Sequence, residues 1–147
     1  MDLGIKGKRA LLLASSSGLG FASALALAQE GVEICVSSSD LGRAEGAAEK
    51  IAAETGTRAV GLVGDLSDPA NMDALAREAT DALGGEIDIL FNNHGGPPLR
   101  TALEVSHTEL SDQADKMVLS LIKMTQLLVP GMVERKWGRV FMVGASA

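Results

Sequence analysis

Tyrosine is absent from this sequence, and the chain of 147 residues contains one cysteine and only 3% aromatic residues. With a single thiol, Cys35, the chain cannot form an internal disulfide, so its stability has to come from a packed core. Cys35 lies within the apolar run VEICV, and we expect it to be a small buried hydrophobic residue. The absence of tyrosine excludes a phenol as the acid or base of any proton transfer within these residues.

Positive charge is also scarce, since 13 Lys and Arg stand against 19 Asp and Glu and give a net charge of −6. The charges form no basic stripe, so we expect neither a nucleic-acid partner nor attachment to a membrane surface. No apolar run approaches the ~20 residues of a membrane span, and the N-terminus lacks a signal-peptide pattern. We therefore expect a cytoplasmic protein. His94 and His107 lack the spacing of metal ligands, and no metal is expected.

Five short apolar runs, rich in Val, Ile and Leu, alternate with segments of helical character. Such runs are typical of strands buried on both faces of a sheet, and they span residues 9–14, 33–37, 59–64, 87–92 and 139–144. Helices are predicted near residues 18–30, 41–55, 69–84 and 108–135. This alternation predicts an α/β fold, a doubly wound Rossmann-like parallel sheet with strand order 3-2-1-4-5.

The composition supports one hydrophobic core, so we interpret residues 1–147 as a single domain. Two helix starts can be read from the sequence: Asp40 is a candidate cap for the second helix, and Asp68-Pro69 for the third. The sequence stops soon after the fifth predicted strand, which would leave that edge of the sheet uncovered. We expect these residues to be the first part of a longer protein, truncated before its last strands.

The segment ASSSGLG, residues 14–20, connects the first strand to the first helix. The first N–H groups of a helix lack internal partners and lie at the positive end of its dipole, so they attract anions. Glycine lets a pyrophosphate approach the backbone, and serine hydroxyls can donate to it. A plain strand-to-helix turn is the alternative. The candidate cofactor-binding residues here are Ser15, Ser16, Ser17, Gly18, Leu19 and Gly20.

Polar residues follow the third and fourth strands in the segments GDLSD and NNHGGPP. Ligands of open α/β sheets bind at the carboxyl ends of the strands, where these segments would meet. Taken alone, each fits an ordinary turn or helix cap. Together they favour a dinucleotide, with Asp65 accepting from the adenine amine. The candidate cofactor-binding residues of these segments are Asp65, Leu66, Asn92, Asn93, His94 and Gly95.

Four segments together resemble the short-chain dehydrogenase/reductase superfamily. They are ASSSGLG, similar to T-G-x-x-x-G-x-G, GDL at 64–66, NNHG at 92–95, similar to N-N-A-G, and GRVFMVGAS at 138–146. The spacing before Gly18 is similar to the 3-oxoacyl-reductase-like branch. The resemblance implies an NAD(P)(H)-dependent oxidoreductase that reduces a ketone or 3-oxoacyl substrate, or oxidises a secondary alcohol, by hydride transfer. It also implies a small-molecule carbonyl or alcohol substrate and a homodimer or homotetramer.

The sequence departs from the family pattern at four positions. Ala14 replaces the first glycine of the fingerprint, which is tolerable if its φ stays negative. His94 replaces a small residue and is either a proton-relay group or an ordinary loop histidine. The asparagine of the family's long helix falls at or next to Met117. Ser146, the candidate catalytic residue, stands one position after the family's serine, which falls at Ala145, so its role requires a bulge.

In this family a Tyr-x-x-x-Lys pair follows the serine, and the tyrosine is the general acid or base. With no tyrosine, the residues given cannot complete that proton transfer by the usual route. The alternative interpretation is a non-catalytic relative that keeps the dinucleotide fold as a binding or assembly module.

The end of the second strand, VSSSDLGR, bears on the choice of nicotinamide cofactor. An acidic residue there would bind the ribose hydroxyls and repel a 2′-phosphate. Here Ser38 and Ser39 occupy the contact positions, and Arg43 lies nearby, which favours NADP(H) over NAD(H). Asp40 follows them and would reverse this preference if it turned inward.

Overall fold

The computed structural model describes residues 1–144, which form a five-stranded sheet with every pair of neighbouring strands parallel. The strands are β1 (Arg9–Leu12), β2 (Glu33–Ser38), β3 (Ala59–Val63), β4 (Ile89–Asn92) and β5 (Arg139–Met142). Their order is β3-β2-β1-β4-β5. This confirms the predicted doubly wound sheet and its strand order.

Five α-helices and one π-helical turn connect the strands. The helices are α1 (Gly18–Gln29), α2 (Leu41–Thr55), α3 (Asn71–Leu83), α4 (His107–Ala114) and α5 (Ser120–Glu134). The π-turn, Asp115–Leu119, lies between α4 and α5 without a break in the helical run. The sequence predicted one helix here, and a π-turn has no hydrophobic pattern that would distinguish it in advance.

The sheet buries apolar side chains on both faces because successive residues of a strand point to opposite sides. In β1, Leu11 packs with α3 and α5, whereas Ala10 and Leu12 pack with α1 and α2. Cys35 is buried in the first of these clusters, as predicted. Burial, with a smaller contribution from the charge of Glu78, raises the pKa of the Cys35 thiol to about 12.

The two predicted helix starts differ in outcome. The Asp40 carboxylate accepts a hydrogen bond from the N–H of Arg43 at 2.8 Å, which confirms it as the cap of α2. Asp68 accepts from the N–H of Ala70 at 2.8 Å, but within a separate turn. Helix α3 consequently begins at Asn71, two residues later than Pro69.

An ionic cluster joins the strands at the edge of the sheet where they begin. The Asp88 carboxylate accepts from the N–H of Arg9 at 3.0 Å and lies 3.5 Å from the Arg135 guanidinium. Arg9 in turn lies 3.4 Å from Glu33. These contacts connect β1, β2 and the residue after α5 to the residue preceding β4.

The helical run His107–Glu134 is long and apolar enough to cross a membrane by length and composition, with a mean hydropathy of 1.3 in its most apolar window. The prediction that no segment reaches this threshold was therefore wrong. Apolar side chains of α5 pack in the core cluster beneath the sheet, and 28% of that window is buried. The buried residues are Leu121, Met124, Leu128 and Met132.

Candidate functional site

A cleft of about 400 Å³ lies at the carboxyl ends of the strands. Seven of the residues predicted to bind a cofactor line it, namely Ser16, Ser17, Ser38, Ser39, Asp65, Leu66 and Gly95. The structure thus brings together residues from the loops that follow β1, β2, β3 and β4 in one concave surface.

The loop before α1 contributes Ala14, Ser16 and Ser17 to the lining of this cleft. Ser17 precedes α1, and its side chain makes no capping hydrogen bond. The first-turn N–H groups of α1 therefore receive no cap from Ser17. Gly18 has a φ of 58°, which favours glycine. A Cβ on Gly20 would lie 2.7 Å from the Cα of Ser15, so glycine is needed for this close helix packing. The loop therefore has a tight turn into a helix start, a geometry that is typical of anion sites.

Four predicted residues of this loop, Ser15, Gly18, Leu19 and Gly20, do not line the cleft. Ser15 is fully buried, and its hydroxyl donates to the carbonyl of Leu13 at 2.7 Å, so it holds the loop rather than facing a ligand. Leu19 is 62% exposed and lies outside the cleft lining. Gly18 lines the neighbouring groove between α1 and α2.

Ala14 adopts a φ of 47°, so the condition for an unstrained alanine at this position, a negative φ, is not met. An alanine in the left-handed region is strained because its Cβ approaches the following carbonyl oxygen. The Ala14 carbonyl accepts a hydrogen bond from the Asn93 side-chain amide at 3.0 Å, which holds the residue in this conformation.

The Asp65 carboxylate lines the cleft and is held by its own turn. It accepts from the N–H of Ser67 at 2.9 Å, and the Asp65 carbonyl accepts from the Asn71 amide at 3.0 Å. Hydrogen bonds from Ser67, with a smaller contribution from the charge of Lys116, lower the pKa of Asp65. The carboxylate is consequently an ionised acceptor at neutral pH.

The two asparagines after β4 have side chains that hold neighbouring elements together. Asn92 is fully buried, and its amide donates to the Thr125 hydroxyl of α5 at 2.9 Å. Asn93 donates to Ala14, as described above. Neither lines the cleft, nor does His94, whose Nδ1 lies 3.0 Å from the Gly95 carbonyl oxygen. These three side chains lie outside the cleft lining, and their contact with a bound cofactor stays a prediction.

The end of β2 places hydroxyls and a cation at one end of the cleft. Ser38 and Ser39 line it, and Arg43 Nη2 donates to Ser39 Oγ at 3.3 Å. Asp40 is turned towards the start of α2, where it caps the helix. Its carboxylate is absent from the cleft lining among the described residues.

Several residues that line the cleft were not predicted from the sequence. Lys116 belongs to the π-turn and Gln113 to α4, the helix before it. Their cleft-facing placement depends on how the helical run crosses the sheet, which the sequence does not reveal. Gly96 and Pro98 also line the cleft, and the GGPP pattern after the fourth strand is the signal that indicated an irregular loop there.

The short chain dehydrogenase family profile matches residues 8–147. The chain belongs to the short-chain dehydrogenase family. It is 34% identical over 144 residues to a ketoacyl reductase of Nostoc. This alignment covers 97% of this chain and 49% of that protein. The chain is 37% identical to the D-beta-hydroxybutyrate dehydrogenase of Cupriavidus necator, covering 97% of this chain and 54% of that protein.

A solved structure shows the same fold. The L-sorbose reductase of Gluconobacter frateurii, complexed with NADPH and L-sorbose, superposes with a TM-score of 0.89 at 31% identity. The match covers 95% of this chain and 53% of that one. The short-chain dehydrogenase chain therefore spans about half the length of the relatives it matches.

The positions expected to carry the family's chemistry are only partly described. Met117 lies in the π-turn and is partly buried. Ser146 and Ala145 lie outside the described residues, so the candidate catalytic role of Ser146 stays a prediction. Within residues 1–144, no three His, Cys, Asp or Glu side chains are grouped to hold a metal ion.

Proposed function

We propose that this chain is the cofactor-binding part of an NAD(P)(H)-dependent oxidoreductase acting on a small-molecule ketone, 3-oxoacyl compound or secondary alcohol. The observation that supports this most strongly is the cleft at the strand ends, lined by the loops after β1 to β4. A nicotinamide cofactor bound there would supply or accept the hydride. The proposed assembly is a homodimer or homotetramer in the cytoplasm.

Each loop of the cleft has a proposed contact. The pyrophosphate is proposed to bind at Ser16 and Ser17, where the loop enters α1. Ser38 and Ser39 contact the adenosine ribose, and the Asp65 carboxylate accepts from the adenine amine. Gly95, which lacks a side chain, leaves room beside the nicotinamide ribose.

We propose a preference for NADP(H) over NAD(H) on the basis of charge. A 2′-phosphate bound near Ser39 would meet the Arg43 guanidinium, which donates to Ser39 already. The Asp40 carboxylate, which would repel that phosphate from inside the cleft, is engaged with the backbone of α2.

Calorimetric titration of the chain and its Arg43→Ala variant with NADPH and NADH tests this proposal. We expect Arg43→Ala to weaken NADPH binding about tenfold, since charge-assisted hydrogen bonds contribute about 1.5 kcal/mol or more. NADH binding should change less than about twofold, because it lacks the 2′-phosphate.

Arg77→Ala is the matched control, since Arg77 lies on α3 beside a different groove. It should leave both affinities unchanged. Equal weakening of NADPH and NADH by Arg43→Ala would contradict the proposed preference.

A second candidate function is a non-catalytic dinucleotide-binding or assembly module. It is favoured by Met117 at the family's asparagine position and by Ala145 at the family's serine position. The encoded sequence after residue 147 would distinguish the two. A Tyr-x-x-x-Lys pair shortly after Ala147 would favour the oxidoreductase, and its absence would favour the module.

A further inference from the structure

Ser120 connects the helical wall of the cleft to the loop after β3. It is fully buried at the first position of α5, directly after the π-turn. Its hydroxyl donates to the carbonyl of Leu66 at 2.7 Å, across a sequence separation of 54 residues. Since Leu66 lines the cleft and Ser120 does not, this hydroxyl touches the site only through Leu66.

The turn that Ser120 holds is fixed at two successive carbonyls. The Asp65 carbonyl accepts from the Asn71 amide at 3.0 Å, and the Leu66 carbonyl accepts from Ser120. Fixing both peptide planes restricts the rotation that would turn the Asp65 side chain away from the cleft. The peptide that Ser120 holds also carries the Ser67 N–H that donates to the Asp65 carboxylate, so the position of this donor depends on Ser120.

The same contact joins the two sides of the cleft, namely the helical run that carries Lys116 and the turn at Asp65 and Leu66. Lys116 lies four residues before Ser120 in the helical run and lines the cleft, as Asp65 does. Residues four apart in a helical run lie near one face, so anchoring Ser120 on Leu66 brings Lys116 over the Asp65 turn. The positive charge of Lys116 helps to lower the pKa of the Asp65 carboxyl.

We propose that Ser120 is a positioning residue for the adenosine half of the cofactor. Its hydroxyl holds the Asp65–Leu66 turn next to the π-turn that carries Lys116. This inference rests on the proposed dinucleotide-binding function. It assigns to Ser120 no contact with a ligand and no part in hydride transfer. Loss of the hydroxyl would leave the Leu66 carbonyl without this donor in a buried place and allow the turn to shift.

Binding of the two cofactor halves to Ser120→Ala tests the proposal. Adenosine 2′,5′-bisphosphate and reduced nicotinamide mononucleotide are titrated separately into the chain by calorimetry. We expect the Kd of the adenosine half to rise about tenfold, as for the loss of about 1.4 kcal/mol, and that of the nicotinamide half to change less than about twofold. A general loss of stability would instead weaken the binding of both halves.

Thr80→Val is the matched control, because Thr80 also donates its hydroxyl to a carbonyl, that of Ala76 at 2.9 Å, but outside the cleft. It should change neither Kd. If Ser120→Ala does not fold, Ser120→Cys, of similar size and with only a weak donor, takes its place with the same expected division.

Two results would overturn the inference while leaving the proposed function intact. In the first, the wild-type chain binds both halves and the Ser120 variants bind the adenosine half with an unchanged Kd. In the second, the variants weaken the binding of both halves equally. If the wild-type chain binds neither half nor NADPH, the proposed function fails and the inference fails with it.

Discussion

Ala14 is a residue at which local strain and the proposed cofactor site coincide. Its φ of 47° is one of two positive values found for non-glycine residues in the described part of the chain, the other being Lys136. The Asn93 amide bonded to its carbonyl shows how the fold holds an alanine where glycine would be unstrained. The strain belongs to the loop that contributes Ser16 and Ser17 to the cleft lining.

Replacing Ala14 with glycine should stabilise the protein. We expect Ala14→Gly to raise the free energy of unfolding by about 1 kcal/mol, because it relieves the left-handed strain of an alanine. Urea denaturation followed by circular dichroism measures the change. Ala26→Gly, at an exposed position inside α1, should instead lower stability by about 1 kcal/mol. A destabilised Ala14→Gly variant would contradict the account of this loop.

Cys35 gives a pH-dependent prediction. Its thiol has a pKa raised to about 12 by burial, whereas an exposed thiol has a value of 9.0. The folded state thus retains a proton that the unfolded state loses, so the contribution of this group to stability decreases as the pH rises from 9 towards 12.

The measurement for Cys35 is its reaction with a thiol reagent at pH 8. We expect no reaction in buffer and complete reaction in denaturing urea, since the thiolate is the nucleophile and burial suppresses it. Rapid labelling of the folded chain would show that Cys35 is not buried in solution.

At the scale of elements, the start of α2 combines a structural and a binding role. Asp40 caps the helix, and its carboxylate also lies 3.9 Å from the Arg43 guanidinium. The cap requires an oxygen acceptor but not a charge. The negative charge, by contrast, offsets part of the attraction of Arg43 for a phosphate.

Asp40→Asn should separate these two roles. We expect unchanged stability, because Asn caps helices as well as Asp, and NADPH binding about two- to threefold tighter, since an exposed ion pair contributes below about 1 kcal/mol. Fluorescence titration and urea denaturation measure the two quantities. Asp40→Ala is the control and should lose about 1 kcal/mol of stability along with the cap. Weaker NADPH binding to Asp40→Asn would refute the charge argument.

The ionic cluster at the opposite edge of the sheet should be structural. Asp88 accepts from the backbone of Arg9 and pairs with Arg135, and it is only 9% exposed. We expect Asp88→Ala to lower the free energy of unfolding by about 2 kcal/mol in urea denaturation, because it removes hydrogen bonds to a buried charged group. Lys123→Ala, which breaks the more exposed pair with Asp73, should cost less than about 1 kcal/mol. Equal effects would argue against this distinction.

Elements were predictable where local pattern determines them, and side-chain ties between distant elements were not. The apolar runs and the Asp40 cap predicted the strands and the start of α2, because burial and capping act over a few residues. The bond between Asn92 and Thr125 spans 33 residues and that between Ser120 and Leu66 spans 54. Such partners become neighbours only after the chain has folded. The sequence consequently placed Asn92 in the ligand site, whereas the structure uses its amide as an internal tie.

For the molecule as a whole, the β5 edge and the outer face of the helical run expose apolar side chains. On β5, Val140, Phe141 and Met142 are 44%, 46% and 59% exposed. Among the described residues, β5 is the last strand of the sheet and pairs with β4. Exposed strand edges of this kind promote association with other chains.

We expect the chain of 147 residues to form larger species with increasing concentration in sizing chromatography with light scattering. Met142→Lys should shift this distribution towards smaller species, because a charged side chain on an edge strand disfavours pairing. Leu103→Lys is the control, since Leu103 is 98% exposed but lies outside the sheet. A monodisperse wild-type monomer at every concentration would contradict the expectation.

The central claim is that the loops after β1 to β4 form a nicotinamide dinucleotide site that favours NADP(H). Titration of the purified chain into NADPH, and separately into NADH, followed by nicotinamide fluorescence, tests it most directly. The account predicts saturable binding of both cofactors, with the lower Kd for NADPH because of Arg43. Absence of binding of either cofactor at millimolar concentration would contradict it.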